Sequence, residues 1–103
     1  MIPFDRLASV YTEVPGVTRT SMMGHPSLKV GRSIFASGRH GGDAVALRLP
    51  AERVAALIAD GTGAPFAPGG APVKTWVQVE GVAWDRLVDL ADEAFENARD
   101  ATS

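Results

Sequence analysis

The feature that most limits what this chain can fold into is a run of alternating side chains between residues 22 and 49, interrupted twice by turn signals. Gly31-Arg32 is the first interruption and His40-Gly41-Gly42-Asp43 the second. A period of two belongs to strands, whose successive side chains point to opposite faces. Connections this short cannot return the chain for a parallel pairing, so residues 22–30, 33–37 and 44–49 are expected to form a three-stranded antiparallel meander. Pro26 has no N–H to give to a ladder, which predicts a bulge or an edge at that point.

On either side of this run the period changes to that of a helix. Residues 3–13 place Phe4, Leu7, Ala8 and Tyr11 at helical spacing behind Pro3, and Val14-Pro15-Gly16 stops them. Pro50-Ala51-Glu52-Arg53 opens a second helix carrying Val54, Leu57 and Ile58 on one face, closed by Asp60-Gly61. Seven Gly and Pro residues within 61–72 predict a loop, with a short strand around Phe66. Residues 74–79 alternate as a further strand. The strongest helical stripe is Trp84, Leu87, Val88, Ala91, Ala94, Phe95 and Ala98, which predicts a helix over 84–99 with both large rings buried and a frayed tail from about residue 100.

Adjacent strands with helices set apart from them predict an α+β fold in two layers: an antiparallel sheet of four to five strands with three helices on one face. A length of 103 residues suits a single domain over 1–103. The chain has no cysteine, which excludes a disulfide scaffold, a thiolate metal site and a cysteine nucleophile. Its apolar runs are far shorter than a membrane span needs, and Met1-Ile2-Pro3-Phe4-Asp5 shows no leader pattern, so a cytoplasmic protein with no membrane partner is expected.

The net charge of −2 conceals a division along the chain. Between residues 18 and 49 five cations, Arg19, Lys29, Arg32, Arg39 and Arg48, stand against Asp43 alone. Between residues 84 and 100 six acids stand against Arg86 and Arg99. One part of the sheet is therefore basic and the last helix acidic.

The usual catalytic patterns are not met. His25 and His40 have no third ligand at metal spacing, and no metal or other cofactor is expected. Ser27 and Ser37 lie within strands and lack the Gly-x-Ser-x-Gly turn that presents a nucleophile, so no catalytic residue is assigned. Gly41-Gly42 and Gly69-Gly70 lack the setting of a phosphate loop. The carboxylates Asp85, Asp89, Asp92, Glu93 and Glu96 fall mostly opposite the apolar stripe and read as a solvated face, while Met22-Met23 reads as core filling. With Leu28, Val45, Leu47, Leu49, Val77 and Val79 turned toward the helices, alternation sends His25, Lys29, Arg48, Lys74, Trp76 and Gln78 to the other, open face. A basic face with an aromatic ring can take phosphates and stack a base.

Several segments resemble the MmcQ/YjbR-like family of small bacterial proteins. They are Val14-Pro15-Gly16-Val17, Gly24-His25-Pro26-Ser27-Leu28-Lys29-Val30-Gly31-Arg32, Ile34-Phe35-Ala36, Leu47-Arg48-Leu49 running into Pro50-Ala51-Glu52, and Trp76-Val77-Gln78-Val79 followed by Trp84-Asp85-Arg86-Leu87. A looser similarity is to the N-terminal domain of TfoX-like competence regulators. The resemblance implies a two-layer fold like that of secretion chaperones and brings no chemistry with it; such proteins are often described as DNA-binding candidates. The expectation is a non-enzymatic binding module. The alternatives are a weak nucleic-acid binder using the basic face, a protein-interaction or homodimerising module, and a small-ligand binder or enzyme with a pocket lined by Met22, Phe66 and Trp76.

Overall fold

The computed structural model describes residues 3–22, 24–39 and 44–102. Helix α1 (Pro3–Tyr11) leads into four strands, β1 (Val17–Met22), β2 (His25–Val30), β3 (Ser33–Gly38) and β4 (Ala44–Arg48). Helix α2 (Ala51–Ala59), strands β5 (Gly63–Pro65) and β6 (Trp76–Glu80) and helix α3 (Trp84–Thr102) complete the order. The sheet runs β1-β2-β3-β4-β6-β5 and every neighbouring pair is antiparallel. The α+β class with three helices holds, and the sheet has six strands rather than four or five.

Both additional strands form where side-chain alternation is faint. The strand expected over 22–30 is β2, and the preceding residues add β1 to it as a hairpin, with Gly24 at φ +80° between them, a conformation that favours glycine. Pro26 sits inside β2 without breaking it, because the β2–β3 ladder begins one residue later at the Ser27–Ser37 pair. The irregularity falls instead between Leu28 and Lys29, where Phe35 is the extra residue on β3. Strand β5 precedes Phe66 rather than containing it. The turn at His40-Gly41-Gly42-Asp43, and Met23, lie outside the described residues.

The three helices cover one face. Phe4, Leu7, Tyr11, Leu28, Phe35, Leu47, Leu57, Val77 and Leu90 form one buried cluster. Tyr11 of α1, Phe35 of β3 and Phe95 of α3 meet as a triad: Phe35 lies 5.3 Å from Tyr11 and 5.6 Å from Phe95, both edge-on. Helix α3 places Leu87, Leu90, Ala91, Ala94 and Ala98 against the sheet. Leu90, absent from the expected stripe, is fully buried, whereas Trp84 and Phe95 are half-buried on its flank. The helix runs on to Thr102, past the expected fraying point, because buried Ala98 anchors its last turns and no Gly or Pro stops them.

Candidate functional site

The sheet's other face is set by register. One row of side chains runs Thr20–Ser27–Ser37–Ala46–Gln78–Ala64 across all six strands. Two residues along, Lys29 on β2, and the cross-strand pair Arg48–Trp76 on β4 and β6, share that face. In the other direction stand His25 and, beyond the end of β3, Arg39. The Arg39 N–H donates to the Ala44 carbonyl at 3.2 Å, which carries the β3–β4 ladder one step further and turns its side chain to the same face as Ser37.

Five of the six residues assigned to this face from alternation, His25, Lys29, Arg48, Trp76 and Gln78, occupy it. Lys74 does not: β6 begins at Trp76, and Lys74 lies exposed in the preceding turn. The face is also less open than expected. Ser27, Ser37 and Ala46 have no exposed surface, and His25 is 7% exposed. Phe66, itself 3% exposed, packs on this side, its ring 5.6 Å from that of Trp76 and 4.7 Å from the Arg39 guanidinium. Met22 lies on β1 and Trp76 on β6, four strands apart, so a single pocket lined by Met22, Phe66 and Trp76 does not form.

In the buried centre of the face the two serine hydroxyls lie 3.1 Å apart, and they also contact the backbone carbonyls of His25 and Gly38. Their protons are thereby spent on structure. Lys29, Arg48, Trp76 and Gln78 are each half-exposed around the closed centre. Among the described residues this face carries three cations, Lys29, Arg39 and Arg48, against the carboxylate of Glu80.

The acids of α3 lie in the helix layer, on the far side of the sheet. Among them, Asp92 accepts from the Tyr11 hydroxyl at 2.5 Å, Glu93 takes Arg53 in a two-pronged pair at 2.8 and 3.0 Å, and Glu96 pairs with Arg99. Burial first, and then the hydrogen bond to Asp92, hold the Tyr11 phenol far above the usual tyrosine range. A groove of about 490 Å³ runs between these acids and Leu49, Pro50 and Arg53. A second, of about 300 Å³ and almost wholly apolar, lies between α2 and the segment leading into Trp76. Among the described residues no three His, Asp or Glu side chains converge as metal ligands, and no helix is long and apolar enough to cross a membrane.

Arg39 and Phe66 are the members of the face that alternation over 22–49 and 74–79 missed. Extending the parity of Ser37 by two residues reaches Arg39. Phe66 has no such signal, because its place depends on β5 pairing at the far edge of the sheet.

The YjbR family model matches residues 12–97, a stretch that holds all six strands, α2 and most of α3. No curated protein and no solved structure matches the chain. The chain belongs to the YjbR family.

Proposed function

We propose that this YjbR-family chain is a non-enzymatic binding module that holds an anionic partner on the non-helical face of its sheet. The observation that carries this reading is the cross-strand Arg48–Trp76 pair, with Lys29 and Arg39 on the same face and the acidic residues of α3 on the other side of the sheet. The binding-only reading is supported by the buried serine pair, whose hydroxyls already serve each other and the backbone.

A half-exposed cation beside a half-exposed indole suits single-stranded nucleic acid best, since phosphate meets the charge and a base stacks on the ring. The acidic helix does not forbid this. Its carboxylates lie on the opposite side of the sheet, and in the solvent around the domain salt screens them over about 8 Å at physiological strength. With few cations able to reach one backbone, affinity should be micromolar or weaker, salt-dependent and without duplex sequence specificity.

Fluorescence anisotropy with single-stranded and duplex DNA at two salt concentrations tests the reading. Lys29→Glu and Arg48→Glu should each weaken single-strand binding several-fold and flatten its salt dependence. Wild-type protein that ignores both probes at low salt, or charge reversals that leave binding unchanged, would refute it.

A further inference from the structure

Arg39 carries a demand that the fold does not meet. Its Nη1 is buried and has no hydrogen-bond partner among the described residues, and Arg39 enters no ion pair there. The guanidinium presents five donors in a planar fork. The Phe66 ring beneath it offsets part of the charge but supplies no oxygen. A buried donor left without an acceptor is destabilising, and such groups are rare in native proteins.

The surroundings are partly polar. The Ser27–Ser37 register, continued by two residues, brings buried His25 across from Arg39. Ser27, Ser37 and Ala46 give the neighbouring floor small side chains only. The cover is Phe66, and from Ala67 to Thr75 the chain that follows it is exposed at every residue. The Phe66 carbonyl accepts from the Val73 N–H at 2.9 Å, closing this Gly/Pro-rich segment into one unit. Moving the cover therefore disturbs few buried groups other than the Phe66 ring.

We propose that Arg39 is an oxyanion receptor, binding the carboxylate or phosphate group of a small ligand that takes its place at the Phe66 cover. This rests on the reading of the face as an anion-binding surface but assigns the receptor to Arg39 beyond the end of β3, apart from the half-exposed Lys29 and Arg48. A planar fork with an unused nitrogen matches two oxygens of one group, and the fully desolvated end strengthens the pairing.

The test titrates inorganic phosphate, and separately acetate, into isotope-labelled protein at constant ionic strength, following the arginine guanidinium signals by NMR and the melting temperature by fluorimetry. The Arg39 signal should move saturably with a Kd of about 1 mM or tighter for at least one anion. The two arms show which oxyanion is preferred. Arg39→Met should weaken that binding about tenfold or more while leaving the ligand-free melting temperature unchanged or higher, because it removes the unpaired donor and keeps the stem on Phe66. Arg39→Lys, which keeps the charge without the fork, should also lose binding. Arg86→Glu, exposed on α3 on the other side of the sheet, should retain it.

A wild-type Arg39 signal that neither anion moves overturns the proposal, and so does binding that survives in Arg39→Met. Polyanion binding that persists in Arg39→Met while Arg39 ignores both small anions sinks this inference alone and leaves the broader reading of the face standing. The Arg39 signal is read in the wild-type protein, so the deciding measurement does not depend on any variant folding.

Discussion

Replacing Phe35 by alanine should be among the most damaging single changes in this protein. The ring has no exposed surface and joins three elements, meeting Tyr11 of α1 at 5.3 Å and Phe95 of α3 at 5.6 Å from its place on β3. Truncating a buried phenylalanine costs about 3–5 kcal/mol, and each edge-on ring pair adds about 0.5–1.5 kcal/mol beyond the area buried. Loss of both pairs puts Phe35→Ala at the upper end, about 4–5 kcal/mol, against a total of about 5–15 kcal/mol for a domain of this size. Phe95→Ala breaks two ring contacts of the same triad, but its ring is half-exposed, so about 2–3 kcal/mol is expected. Urea titration followed by tryptophan fluorescence and far-UV circular dichroism measures both, with Phe35→Leu as a milder substitution that keeps the site filled. A Phe35→Ala cost below about 2 kcal/mol, or one no larger than that of Phe95→Ala, would mean the triad does not bind the helix layer to the sheet.

Two further outcomes follow from close contacts elsewhere. A methyl group at Gly63 would run into Cγ2 of Val77, a fully buried β-branched side chain with little freedom to turn away, so Gly63→Ala should cost about 1–3 kcal/mol in urea titration and be partly rescued by Val77→Ala. Tyr11 is the protein's one tyrosine, which makes its ionisation visible as tyrosinate absorbance without interference. Below pH of about 10 folded and unfolded chains both keep the phenol proton; above it only the folded chain does, so stability should fall as pH rises past that point, and Tyr11→Phe should flatten the fall. Tyrosinate absorbance that rises near the ordinary value while the protein stays folded would refute this.

The parts of the fold legible in the sequence are those where burial imposes a period. Leu28 and Val30, Val45 and Leu47, Val77 and Val79 alternate because one side of each strand meets the helices, and five of the six face residues followed from that alone. Strand β1 escaped because Val-Thr-Arg-Thr-Ser-Met is mostly exposed on both sides at a sheet edge and leaves no apolar alternation to read. Strand β5, Gly-Ala-Pro, has no strand character of its own and exists through pairing with β6. The closing of the face by Phe66 hangs on that same pairing, so it could not be read from spacing. The open face expected from two layers is correct as topology but overlooks a side chain that crosses back over it.

The placement of α3 also bears on the order in which the molecule can be assembled. This helix follows the other described elements in chain order and lies on β2, β3 and β4. During synthesis on the ribosome the four N-terminal strands can zip through neighbouring hairpins, a local and therefore fast process. Their product is a sheet whose Leu28, Phe35 and Leu47 face is covered only in part, by α1, while the chain from β4 to α3 is being made. At an elongation rate of about 5–20 residues per second that interval lasts seconds, long against hairpin closure. For that time the nascent chain is a half-built sandwich, and its adhesive surface is the one the finished protein hides.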